Sequence, residues 1–470
     1  MKEAKNEEIL ETDYLIIGAG AVGMAFADII LAETNANIIM VDKHHKPGGH
    51  WNLAYPFVRL HQPSTYYGVS STELGENGKD EIGFNKGLKH LASGAAINAY
   101  YDDIMNYKYL PSGRVKFFPM CEYKGDGKFT SLLTNEMHEV KVNKKTVDAT
   151  YMKTKVPASH PPNYIVDADV NFIPINGLPK LTEAPSEFVI IGGGKTGIDA
   201  CLWLLEHNVN PDKITWIVSR DAWLIDRKNL QPSEEYLEDY LQYLALQFEA
   251  LEEADSISEL FEKLEKSGVL IRIDQNVKPQ MFRGATISKL ELEQLRRIKN
   301  VVRKGRVKHV SKDNISFIEG SIPVKEHFVC VDCSANALSH AKSKPVFSKD
   351  TITLQIIRGI QIVFSAAMIA HIEASDKDEK LKNELCKVIE LPSSDTDWLR
   401  MLLGTLVNEE LWKEDENLKM WLHDNRLDGF SDLVANISED NKKLQALVNR
   451  IESSKKPAIE KLKYFEAELS

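Results

Sequence analysis

Two glycine clusters carry the spacing from which chemistry can be read. Gly18-Ala19-Gly20-Ala21-Val22-Gly23 and Gly192-Gly193-Gly194-Lys195-Thr196-Gly197 each fit G-x-G-x-x-G. In that pattern the first glycine turns the chain sharply, the second admits a pyrophosphate to the backbone, and the third lets a helix pack closely on a strand. The helix start then offers unpaired N–H groups and a positive dipole end to the phosphates. Asp42 lies 24 residues beyond Gly18, where a carboxylate accepts hydrogen bonds from a ribose; Lys43 adjoins it. The second cluster adds a cation, Lys195, and a hydroxyl, Thr196, at the phosphate end. Its following strand ends Val218-Ser219-Arg220 instead of in an acid. A hydroxyl and a guanidinium suit a 2′-phosphate, which a carboxylate would repel, so NADPH is expected over NADH. Asp221 would weaken that preference if it pointed inward in place of Arg220.

The surrounding residues supply the elements that these clusters need. Residues 14–17 are a short apolar run of the kind buried on both faces of a parallel sheet. A helical stretch from Ala21 to about Glu33 and a second apolar run at 38–41 complete a βαβ unit. The same order returns at 188–191, 195–207 and 214–218. Between the two units, 95–107 reads as a helix and 114–120 as a strand, and 155–162, with three prolines, reads as irregular backbone. Residues 234–266 form an acidic amphipathic helical stretch, 290–300 a further helix, 328–331 a buried strand, and 354–374 a helix preceded by a loop. From 376 onward the composition shifts to a charged start and helical patterning, with Trp398, Leu402, Leu403, Leu406, Leu411 and Trp412 supplying apolar faces. This region is expected to cover the core or a partner copy of the chain in a homo-oligomer; an active-site lid is the alternative.

Bulk properties narrow the function classes. The 470 residues are 43% hydrophobic and 27% charged, an ordinary globular composition with chain enough for two to four domains. A formal net charge of −11 disfavours broad nucleic-acid binding and anionic membrane surfaces. The five cysteines are irregularly spaced, so no disulfide framework is implied. Cys330 and Cys333 form C-x-x-C on an expected strand, where residues three apart face opposite ways and make a poor redox pair. His44, His45 and His50 lack spaced carboxylate or cysteine partners, so no metal site is expected. The charged N-terminus carries no export signal, and no apolar run reaches the roughly 18 residues a membrane span needs. A cytoplasmic location is the default expectation.

Taken together, G-A-G-A-V-G, Asp42, the Gly48-Gly49-His50-Trp51 loop and G-G-G-K-T-G-I-D resemble the flavin-containing and Baeyer–Villiger monooxygenase superfamily. Asp199, Ser219-Arg220 and Trp223 are similar to that group's NADPH motif. Val147-Asp148-Ala149-Thr150 resembles its domain crossover, and Val329 to Ala335, with Asp332, resembles the late strand-turn that returns to FAD. The resemblance covers about residues 12–375. It implies an α/β fold with two Rossmann-like dinucleotide-binding domains, for FAD and NADPH, plus a C-terminal helical region. The FAD domain would comprise 1–180 and 305–375, the NADPH domain 181–304 and the helical region 376–470. FAD would be held by Gly18, Gly20, Ala21, Val22, Gly23, Asp42, Lys43, Gly49, His50, Trp51 and Asp332. NADPH would be held by Gly192, Gly194, Lys195, Thr196, Gly197, Ser219 and Arg220. The implied reaction is reduction of FAD by NADPH, followed by oxygenation of a small organic substrate by molecular oxygen.

One element of that pattern is missing. The stretch 172–188 contains Gly177 but no histidine completing F-x-G-x-x-x-H. A reductase that passes electrons to a quinone, another small acceptor or a protein therefore stays open, as does a non-catalytic flavin-binding sensor. In the resembled group the stretch after the G-G-x-W loop runs under the flavin, which makes Arg59, His61 and Gln62 the candidates for contact with the reacting groups. The helix start after Gln355 would bring N–H groups to the flavin pyrimidine.

Overall fold

The computed structural model describes residues 9–154, 156–335 and 341–469. The apolar runs become the central strands of two parallel sheets. In the first, strand Leu10–Ile17 lies between Ile38–Val41 and Met137–Asp148, with Tyr14 opposite Ile38 and Ile17 opposite Val41. Val115–Phe118 extends one side in parallel. On the other side, the long strand Met137–Asp148 pairs with two partners in turn. Its first half receives the antiparallel hairpin Cys121–Gly125 and Lys128–Ser131, and its second half receives Thr351–Thr353 in parallel. Helices Ala21–Glu33 and Ile362–Ala374 cover one face; both are apolar on nearly every side, as helices buried all round must be.

The second sheet is wholly parallel, in the order Val301–Val302, Ile214–Ile217, Phe188–Ile191, Val329–Asp332, Phe172–Pro174. Helices Lys195–Glu206 and Lys289–Leu295 pack on one face. On the other lies a small sheet of Ile165–Val166, Val307–Val310, Asn314–Phe317 and Gly320–Pro323. This corrects the expectation for residues 305–335. They stay with the second sheet, and the strand that returns to the first is Thr351–Thr353. The residues of Val329–Asp332 are buried on both faces in either sheet, so their composition does not choose between them; pairing with Phe188–Ile191 on one edge and Phe172–Pro174 on the other does. The stretch expected as one helix from 354 begins helical backbone only at Ile362. Lys155, the first residue of the proline-rich stretch, lies outside the described residues.

After Ile362–Ala374 the described residues form helices joined by short loops, the longest being Asp397–Lys413 and Lys442–Glu468. Helix Asp397–Lys413 joins two cores. Trp398 enters the one built by Trp223, Phe248, Leu251 and Phe261, and Trp412 enters that of the first sheet. Among the described residues no helix is long and apolar enough to cross a membrane.

The loop at 59–92 meets the second unit at Arg227, which has no solvent exposure. Its guanidinium donates to the His61 carbonyl at 3.0 Å, Asn85 Oδ1 at 2.7 Å and Glu291 Oε2 at 2.8 Å. A buried charge stripped of its partner is costly. Arg227→Met is therefore expected to lower the unfolding free energy by about 3–5 kcal/mol, read by urea denaturation, and adding Glu291→Leu should recover part of the loss. A single-variant loss below about 1 kcal/mol would assign the pair no more weight than a surface ion pair.

Candidate dinucleotide sites

Both glycine clusters adopt the same geometry. Gly18 has φ +100° and Gly192 φ +140°, the left-handed side that glycine tolerates. A Cβ on Gly23 would stand 2.0 Å from the Gly18 carbonyl oxygen, and one on Gly197 would stand 1.9 Å from that of Gly192. Only glycine lets either helix start this close to its strand. Helix Ala21–Glu33 has Gly20 as its N-cap and helix Lys195–Glu206 has Gly194, and neither is capped by a side chain. By contrast, Ser93, Ser256 and Ser288 cap the helices that follow them. The first-turn N–H groups at both clusters are thus without side-chain acceptors, as an anion site requires. Open space faces the Gly194 Cβ position.

Around the first cluster, the Gly48-Gly49 turn folds back onto the fingerprint. Gly48 N donates to the Ala19 carbonyl at 2.9 Å, and a Cβ on Gly49 would reach within 2.9 Å of Gly20 Cα. Asn52 and Asn98 brace this turn through the carbonyls of Lys46, Pro47 and Trp51. Asp42 is buried, and its carboxylate accepts Ala19 N at 2.6 Å and His44 N at 2.7 Å. The expected ribose acid therefore also fastens the fingerprint turn to the end of its strand. Lys43 is exposed. Trp51 donates to Tyr67 Oη at 2.9 Å, touches both hydrophobic cores, and stacks obliquely with His50 at 4.9 Å between ring centroids. Burial, aided by His44, pushes the His50 pKa down to about 4.

The second cluster looks across at the first unit. Lys195 is paired with Asp199, which also accepts Tyr55 Oη at 2.5 Å. Thr196 is partly exposed and Ser219 exposed. Asp332, expected among the FAD residues, lies in the second sheet. It sits opposite Ile191 in the second sheet and accepts from Tyr164 Oη at 3.0 Å and from the Ser334 backbone and hydroxyl. Asp221 is held by Arg303 through two bonds of 2.8 and 3.0 Å, and the same guanidinium also pairs with Asp274 at 3.1 Å. Arg220 has one long bond, 3.4 Å to the Ser393 carbonyl.

The three candidates under the flavin separate. His61 is partly buried against Arg227 and Thr286, with its carbonyl on Arg227 and on the Thr286 hydroxyl, and with the Thr286 N–H directed at Nδ1 across 3.5 Å. Burial, with Lys195 and Arg227 adding to it, lowers its pKa to about 3. Gln62 is half-buried beside it. Arg59 instead points outward, 57% exposed and 3.9 Å from Asp80, because its neighbours' apolar side chains take the inner face. Arg227, Tyr55 and Thr286 were not singled out in the sequence; nothing in their spacing marks them, since their partners lie 59 to 166 positions away. Cys330 and Cys333 are free and enter cores on opposite faces of the second sheet.

No family model matches the chain. It is 47% identical over 429 residues to the protein called uncharacterized protein Rv2000 of Mycobacterium tuberculosis, covering 91% of this chain and 80% of that one. The figures are the same for uncharacterized protein Mb2023 of Mycobacterium bovis. Among solved structures it is similar to a flavin-containing monooxygenase from Stenotrophomonas maltophilia, at 13% identity and TM-score 0.43, covering 78% of this chain and 98% of the other. A caprolactone-bound cyclohexanone monooxygenase aligns at 13% identity and TM-score 0.49, covering 77% and 86%. A bacillithiol disulfide reductase from Bacillus cereus aligns at 13% and 0.45, covering 78% and 100%.

The depressed histidine sets a pH dependence. Folded His61 stays neutral down to about pH 3, whereas the unfolded residue takes up a proton near pH 6.5. Its contribution to stability is therefore complete above about pH 6.5 and is lost progressively as the pH falls towards 3, on the order of a few kcal/mol. The urea midpoint measured from pH 7.5 to 4.5 should fall less steeply in His61→Gln than in the parent. Equal slopes would show that His61 does not drive the acid sensitivity.

Proposed function

This chain belongs to the family of the mycobacterial protein Rv2000, and we propose that it is an FAD-dependent oxidoreductase that draws its electrons from NADPH. The observation that carries the reading is the duplicated corner: two helices, each starting on an uncapped glycine, each with a third glycine pressed on the first glycine's carbonyl. Such a corner has one physical advantage, the exposure of backbone N–H groups to a pyrophosphate. Gly18, Gly20, Ala21, Val22, Gly23 and the Gly48-Gly49 turn would hold the FAD pyrophosphate, and Asp42 its ribose. Gly192, Gly194, Lys195, Thr196 and Gly197 would hold that of NADPH, with Arg220 at the 2′-phosphate. Bound FAD would supply the acceptor for the nicotinamide hydride.

The chain's own groups then position and exclude. Trp51 walls the space between the two units, and Arg227 fixes the loop that carries His61. A histidine with a pKa near 3 is a neutral hydrogen-bonding group at working pH and not a proton-donating cation. We take oxygenation of a small organic substrate as the leading reaction, by the motif resemblance. Electron transfer to a non-oxygen acceptor is the second reading, favoured by the absence of a histidine between 172 and 188.

Purified protein is expected to be yellow and to retain FAD. Gly23→Ala should abolish retention, while Gly197→Ala should keep FAD but weaken NADP⁺ binding by at least about tenfold, since each Cβ meets a carbonyl oxygen. A colourless parent that ignores added FAD would end the proposal. Arg220→Ala should raise the KM for NADPH by about tenfold or more and leave that for NADH nearly unchanged. Equal effects on both would remove the 2′-phosphate role. Oxygen uptake matched to oxygenated product selects the first reaction; flavin reduction with electrons recovered in a quinone or other acceptor selects the second.

A further inference from the structure

The loop that leaves the first glycine corner ends on the helix that starts at the second. Its backbone is stiffened by short-range bonds. Trp51 N donates to the Gly48 carbonyl at 3.2 Å, Ala54 N to that of Trp51 at 3.3 Å, and Val58 N to that of Tyr55 at 3.0 Å. The near end is Gly48-Gly49, which packs on Ala19 and Gly20. The far end lies along helix Lys195–Glu206. Tyr55 Oη donates to Asp199 at 2.5 Å, and the Phe57 ring stacks on Trp203 at 4.8 Å between centroids. Lys195, Asp199 and Trp203 follow one another at intervals of four residues and so share one helix face. Asn176 adds a third tie to the second unit, donating to the Leu53 carbonyl at 3.2 Å.

Asp199 stands between two donors. One carboxylate oxygen accepts Tyr55 Oη and the other pairs with Lys195 Nζ. Its side chain is 12% exposed, and a charge so far removed from water needs both partners. Burial, and Asp199 after it, hold the Tyr55 phenol well above its ordinary pKa, which keeps it a donor. Lys195 is the first residue of its helix, and it carries a compact charge on a flexible stem. A pyrophosphate on the first-turn N–H groups would offer that charge a second anion. Any shift of Lys195 towards it leaves Asp199 less compensated. The charge-assisted bond from Tyr55 then carries more of the compensation.

We infer that Tyr55 is a positioning residue that couples the two nucleotide sites, so that each dinucleotide tightens the binding of the other. Through Asp199 it responds to where Lys195 sits, and through the stiffened loop it passes that response to the Gly48-Gly49 turn. This rests on the reading that the first fold takes FAD and the second NADPH. The two arrangements are Lys195 on Asp199 and Lys195 drawn to a pyrophosphate, and the weight of the Tyr55 bond differs between them. Such a coupling is reciprocal at equilibrium.

The test is the FAD dissociation constant of the full-length, FAD-loaded protein, with and without saturating NADP⁺, in the parent, Tyr55→Phe and Asp199→Asn. Free FAD is read from flavin fluorescence after dilution to equilibrium, and calorimetry on the undiluted protein establishes that NADP⁺ binds. In the parent, NADP⁺ should lower the FAD constant by about fivefold or more. Tyr55→Phe keeps the ring and loses the hydroxyl; Asp199→Asn keeps the shape and loses the charge. In both, the ratio should fall below about twofold while calorimetry still detects NADP⁺. If either variant weakens FAD yet keeps the parent ratio, the linkage is structural only and the inference is overturned. A parent ratio near one with NADP⁺ bound also overturns the coupling, and leaves the NADPH reading standing. A parent that retains FAD and binds no NADP⁺ removes that reading and the coupling with it.

Discussion

The joining of the loop at 59–92 to the second unit depends on a buried guanidinium. Arg227 leaves the end of strand Ala222–Asp226, in the second unit, and three of its acceptors belong to other parts of the chain: the His61 carbonyl, Asn85 Oδ1 and Glu291. Taking such a group out of water is tolerable only when its donors are answered. The answer is extended by neighbours that are themselves buried. Gln231 donates to the Arg227 carbonyl at 2.8 Å and accepts Lys89 N at 2.8 Å. Glu291 completes a capping box with Ser288, whose hydroxyl donates to the Phe84 carbonyl at 2.5 Å. The polar seam therefore fixes the placement of the loop at 59–92 against the second unit. An apolar contact would fill the same space without fixing the register so narrowly.

The helical region acts on the same loop from the other side. Arg426 donates to the carbonyls of Thr65, Tyr67, Val69 and Thr72, which gathers the chain just after His61 and Gln62. Arg358, close before the start of helix Ile362–Ala374, is paired with Asp428 and lies over the Phe364 ring at 3.5 Å. Tyr240 stacks on Phe430 at 3.8 Å. With Trp398 and Trp412 in different cores, the region works as a brace across both units, which is the covering role its apolar faces suggest.

What could be read from the sequence was local. The fingerprints, their strands and their helices are set by residues a few positions apart, and the glycine contacts follow from the same short segments. The opposed faces of Cys330 and Cys333 also follow, from strand geometry alone. The destination of Val329–Asp332 could not be read, because four residues buried on both faces suit any parallel sheet. The outward turn of Arg59 and the enclosure of His61 two residues later depend on which neighbours happen to be buried. Arg227 carries no signal of its own: it gains its meaning from the loop and helix brought beside it by folding.

The two corners share their backbone and differ at the strand end that meets the ribose. In the first, Asp42 is an acid whose oxygens already bind Ala19 N and His44 N, so a ribose hydroxyl would meet a carboxylate held in place by the fingerprint itself. In the second, the equivalent end carries Arg220, next to Asp221, whose carboxylate shares the Arg303 guanidinium with Asp274. On the proposed reading, selection between two dinucleotides built on the same pyrophosphate would fall to the side chains at that strand end, since the glycine corners would treat both alike.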